Sequence, residues 1–131
     1  MLRDLKMEQF LHQISTMKWQ KSGFTNILPG IWKGKISQLD GKRSWNVTFD
    51  FNPDQTLFKI TYPERGCSGF LNYISASDRS IDFREKIVAG NEDCADSSLF
   101  KLIIGASDTS LEVYYYLPNS TTLFAKGVIT K

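Results

Sequence analysis

Hydrophobic positions recur along this chain with two different periods. Between Met7 and Met17, the residues Met7, Phe10, Leu11, Ile14 and Met17 fall on one stripe of a helix. Asp4 stands where a cap or first-turn acid belongs, and Gly23 lies just past the end of the pattern. Pro29-Gly30 then marks a change of period from about 3.6 to about 2. The chain therefore divides into an N-terminal helix and linker, residues 1–29, and a β-domain, residues 30–131. The helix is expected to pack on its own domain, over a mouth or an outer wall, burying Phe10, Leu11 and Ile14; a membrane-surface or partner-binding helix is the alternative.

From Gly30 onward the pattern predicts eight short strands, over residues 31–38, 44–52, 56–62, 67–75, 79–88, 99–104, 110–117 and 122–130. Turn chemistry separates them: Leu39-Asp40-Gly41-Lys42, Asn52-Pro53-Asp54-Gln55, Ala76-Ser77-Asp78, Ala106-Ser107-Asp108-Thr109 and Pro118-Asn119-Ser120. No strand is followed by a helix-length crossover, so the strands pair as successive antiparallel hairpins. Alternation assigns an inner face: Trp45, Val47, Phe49 and Phe51 on the second strand, Phe58, Ile60 and Tyr62 on the third. Ile81, Phe83, Glu85 and Ile87 follow on the fifth, and Leu111, Val113 and Tyr115 on the seventh. One buried and one wet face per strand predicts an all-β fold, an antiparallel eight-stranded barrel preceded by the helix. A two-sheet sandwich of the same strands competes with it, because periodicity alone does not separate the two.

Composition narrows the function classes. Sixteen Lys plus Arg against fourteen Asp plus Glu leave a net charge of +2, without the basic excess of a nucleic-acid binder. No apolar run approaches the roughly 20 residues of a membrane-spanning helix. One His and two Cys leave too few ligands for a four-coordinate structural zinc site unless carboxylates or a second chain contribute, and no phosphate loop or metalloprotease pattern occurs, so neither metal nor cofactor is expected. Glu92, Asp93 and Asp96 lack the spacing of a calcium loop and read as solvated acids.

Gly30-Ile31-Trp32-Lys33-Gly34 resembles the G-x-W opening of lipocalin-like and avidin-like barrels. Thr61-Tyr62-Pro63, Gly66-Cys67-Ser68-Gly69-Phe70-Leu71, Phe83-Arg84-Glu85-Lys86-Ile87, Gly90, Cys94 and the closing Ala125-Lys126-Gly127-Val128-Ile129 extend it. Together they are similar to small bacterial β-domains of envelope or secreted proteins, also found appended to signalling proteins such as Ser/Thr kinases. The resemblance covers about residues 30–131 and implies a fold and a bacterial origin more than an activity. Glu64-Arg65 departs from it, standing where smaller residues are usual.

Two groups carry candidate chemistry. A turn at 76–78 makes strands four and five a hairpin, which sets Cys67 opposite residues near 87 with Cys94 in the loop beyond. Bridging distance is reachable, and in an exported protein the pair is expected as a disulfide; in the cytosol the two would be buried thiols. Met1 to Trp19 has no apolar leader, so a native start at Met1 would be cytoplasmic, whereas the cysteines and the resemblance favour the periplasm or cell envelope. A cysteine nucleophile lacks a base, because the single His, His12, lies in the N-terminal segment.

Glu85 is the second. Its apolar neighbours Ile81, Phe83 and Ile87 turn its carboxylate inward, where it needs a partner. Trp32, Tyr62, Tyr73 and Tyr115 are the candidate donors, and the group reads either as a clasp within the core or as the polar anchor of a cavity. Tyr114 and Tyr116, with Phe124 and Trp45 or its neighbours, would form an exposed aromatic patch suited to a protein partner.

The resulting expectation is a non-catalytic barrel that binds a small apolar or amphipathic ligand, with Trp32, Trp45, Tyr62, Glu85 and Tyr115 around it and Glu85 and Trp32 at its polar end. A filled barrel serving as a protein-interaction module is the second reading, and a hidden enzyme the third.

Overall fold

A computed structural model of the chain describes residues 27–52, 58–90, 94, 96–105 and 107–131. The helix predicted over 7–17 lies outside the described residues. The strands are β1 (Ile31–Gln38), β2 (Ser44–Asp50), β3 (Phe58–Tyr62), β4 (Cys67–Ala76), β5 (Ser80–Ala89), β6 (Leu99–Ile104), β7 (Ser110–Tyr116) and β8 (Ala125–Thr130). Each pairs antiparallel with its neighbour in sequence, and β8 returns to β1, closing the barrel. Closure decides against the sandwich and leaves no sheet edge unpaired. The last strand begins three residues later than its pattern predicts, because 122–124 continue the turn from β7.

Closure needs strands that coil tightly at the seam. On the inward face there, Gly34 of β1 and Gly127 of β8 let backbones approach: a Cβ at Gly34 would stand 2.1 Å from the Val128 carbonyl oxygen, and one at Gly127 2.0 Å from that of Lys35.

The register sorts inward residues by height along the barrel axis. Trp32 pairs with Phe49 near one end, and Ile36 with Trp45 near the other. The lower end is filled. Phe49, Phe51, Phe58 and Phe83 interlock with ring centroids 5.2–6.0 Å apart, and Phe100 packs edge-on against Phe49 at 5.3 Å. Eight strands enclose a space just wide enough for such side chains. Leu28 and Trp32, both without exposed surface, plug this end. The Trp32 indole N–H donates to the Leu28 carbonyl at 2.9 Å, and the Lys131 ammonium sits 5.2 Å from its ring. Trp32→Phe is expected to cost about 1–2 kcal/mol in a urea titration, since it leaves a buried carbonyl without its donor; an unchanged midpoint would remove this plug from the account.

The outer aromatic patch is smaller than the sequence predicts. Trp45 is buried inside and Phe124 packs against the core, so neither joins Tyr114 and Tyr116. Those two stay half-buried on the outer wall, Tyr114 between Lys101 and Lys126 across the ladders. Parity dictates this: Trp45 shares the inward phase of Val47 and Phe49.

Candidate functional site

The upper end is built differently. Trp45 is the second residue of β2, Tyr62 ends β3 and Tyr115 nears the end of β7, so alternation turns all three inward just below the rim. They wall a partly open cavity of about 190 Å³. The Trp45 and Tyr115 rings meet edge-on at 5.7 Å, and Phe124 lies 6.1 Å from Tyr115. Leu117 and Phe124 from the β7–β8 turn complete the apolar side, while Gln38 at the end of β1 and Arg43 and Arg65 on the adjoining turns bring polar groups. The Arg65 guanidinium stands 5.6 Å from the centre of the Trp45 ring, a cation–π arrangement.

One segment of this rim is tied covalently. Cys67, at the start of β4 and fully buried, bonds to Cys94, which itself lines the cavity. The Cα atoms are 6.6 Å apart, with 27 residues of sequence separation. Asp96 fastens the same connection: its Oδ1 accepts from the Ile87 and Ser97 N–H groups at 2.8 and 2.9 Å, and its Oδ2 pairs with Lys86 at 2.9 Å. The Ile87 N–H, with Lys86, holds the Asp96 carboxyl below the usual range. Asp96 is thus a loop fastener. Glu92 and Asp93 lie outside the described residues, among which no metal-binding cluster of His, Cys, Asp and Glu occurs.

Glu85 lies behind the cavity wall. It is 1% exposed, and its Oε2 accepts from the Tyr62 hydroxyl at 2.6 Å. Its backbone N–H donates to the Ser98 carbonyl at 2.9 Å, and the Ser98 and Tyr115 hydroxyls share a hydrogen bond of 2.8 Å. Burial pushes the Glu85 carboxyl up to about 7, against the opposing pull of the Tyr62 hydroxyl and a smaller one from Ser98. Its Oε1 has no hydrogen-bond partner among the described residues. Burial and then the adjacent Glu85 raise Tyr62 well above the ordinary phenol range, and burial raises Tyr115 to about 12. Both phenols therefore keep their protons across physiological pH and remain hydrogen-bond donors.

No family model matches the chain, and no curated protein matches it. Solved barrels do. EF1p2_mFAP2b bound to DFHBI aligns with a TM-score of 0.54 at 15% identity, over 84% of this chain and 98% of its own. A fluorescence-activating β-barrel designed de novo aligns with a TM-score of 0.54 at 18% identity, over 82% and 96% of the two chains. A redesigned β-barrel aligns at 0.55 and 14% identity, over 80% and 91%. The likeness is one of fold.

Of the residues singled out in the sequence, this end of the barrel gathers Trp45, Tyr62, Tyr115 and Cys94 on the wall, with Glu85 and Cys67 directly behind it. Trp32 is not among them. Its indole donates to Leu28 at the other end of the barrel, so it cannot share a polar pocket end with Glu85. Sequence reasoning also passed over Ser98, Arg43 and Arg65. Ser98 continues the inward phase of Phe100 and Leu102 by one step, which was readable. Arg43 and Arg65 stand on turns, where alternation assigns no face.

Proposed function

We propose that this protein is a non-catalytic binder of a small amphipathic ligand, held in the upper mouth of the barrel. The observation that carries the reading is the contrast between the two ends. Aromatic side chains fill the lower barrel, while the upper end keeps a cavity of about 190 Å³ with Trp45, Tyr62 and Tyr115 on its wall. An apolar wall with a few convergent polar groups is the usual chemistry of a small-molecule site. The similar barrels add support of a general kind, one of them bound to DFHBI. The non-catalytic part of the reading rests on Glu85, whose carboxyl is turned into Tyr62 behind the wall rather than into the cavity. An extracytoplasmic setting belongs to the same proposal, because the Cys67–Cys94 bridge persists in an oxidising compartment; a bacterial one rests on the sequence resemblance alone.

Tryptophan fluorescence tests it. Of the three tryptophans, Trp45 lines the cavity and Trp32 sits at the far end. Titration with a panel of lipophilic probes is expected to quench the wild type and Trp32→Phe, and to leave the remaining emission of Trp45→Phe unaltered. Absence of quenching by every probe would transfer the function to the second reading, a protein-interaction module, which the filled lower core favours.

A further inference from the structure

The rim of the cavity is chemically one-sided. Arg43 and Arg65 stand on two different turns, both on the cavity wall, and neither has a carboxylate partner among the described residues. The acids nearest in sequence make no salt bridge to them among the described residues: Asp40 accepts from the Lys42 N–H at 2.9 Å, and Glu64 from the Asn46 N–H at 3.0 Å. The charge of Arg65 is felt at Tyr62 and Tyr115, both on the cavity wall, where it opposes part of the upward shift of each phenol. Arg65 is half-buried and stacked over Trp45, which holds its planar fork beside an aromatic surface. Unpaired guanidiniums above an aromatic floor complement a molecule with an apolar ring at one end and an anionic group at the other.

We propose that the ligand of this mouth is a small aromatic anion, its ring against Trp45 and Tyr115 and its carboxylate or equivalent acid group held by Arg43 and Arg65. The proposal rests on the ligand-binding reading above and adds the charge of the ligand to it. The acid group stays at the rim, where water completes its solvation, so it need not be buried. The ring displaces water from the apolar side formed with Phe124 and Leu117. Glu85 does not oppose this arrangement directly, because its ionisable oxygens lie behind Tyr62.

Calorimetric titration of the whole protein with naphthoate and with its uncharged isostere naphthamide separates the two levels. Naphthoate is expected to bind at least about tenfold more tightly at low salt, as a charge-assisted pair to arginine requires. That preference should shrink in raised salt and fall to near unity in the Arg43→Gln/Arg65→Gln variant, while Arg65→Lys should keep part of it. A melting curve for each variant confirms that the fold is intact. Equal binding of the two probes to the wild type would overturn the anion assignment and leave the cavity reading standing. Preference surviving in the double variant would overturn the role of the two arginines. Failure of both probes at millimolar concentration would overturn the site and its charge together.

Discussion

Loss of the Cys67–Cys94 bridge is expected to lower the free energy of unfolding by about 3.5 kcal/mol, the loop-entropy value for a separation of 27 residues. For a chain of this size that corresponds to a fall in Tm of roughly 10–15 °C. The mechanism lies in the unfolded chain, which the bridge keeps from exploring open conformations of the β4–β5 hairpin and the connection beyond it. A native-state share adds to it, because Cys67 is fully buried. The test compares melting curves of the wild type with and without reductant, beside a Cys67→Ala/Cys94→Ala variant. Reduced wild type should converge on the variant. Coincident melting of all three samples would show that the bridge contributes nothing.

Stability should also fall as pH rises from about 4.5 to about 7, by about 3 kcal/mol, through Glu85 alone. The sign follows from the two states. Burial raises the carboxyl from its ordinary 4.5 to about 7 in the folded protein, so between those values the native state holds a proton that the unfolded state has released. The contribution is complete below the unfolded value and lost as pH passes the folded one. Asp96, shifted the other way, acts in a lower window, losing its contribution as pH falls through the acid range. Glu85→Gln should flatten the slope between pH 5 and 7.5, since the amide keeps an acceptor for Tyr62 without a charge. Above that range the variant should be the more stable protein, because the wild type then carries a buried carboxylate with one hydrogen-bonded oxygen. Subtracting the two profiles removes every other group, including His12. A variant profile that keeps the wild-type slope would place the titration elsewhere.

Local pattern alone determined the strands and their inner faces. Trp45, Val47, Phe49 and Phe51 alternate with polar residues, and so do Ile81, Phe83 and Glu85; a period of about 2 forces such sets to one side of a pleated strand. Short turns between them fixed the antiparallel order, and the hairpin at 76–78 brought Cys67 within reach of the connection that carries Cys94. Alternation also exposed Glu85 as a carboxyl on the wrong side, in need of a donor. Tertiary structure decided the rest. Alternation gives each residue a face but no height along the barrel axis, because height depends on how far every strand slides against its neighbour on closing. Trp32 and Trp45 are therefore indistinguishable in the sequence, yet one plugs the filled end and the other walls the open one. The choice of Tyr62 over Trp32, Tyr73 and Tyr115 as the donor to Glu85 has the same origin. So does the meeting of Arg43 with Arg65: they stand 22 positions apart on separate turns, and only closure of the sheet brings those turns to a single rim.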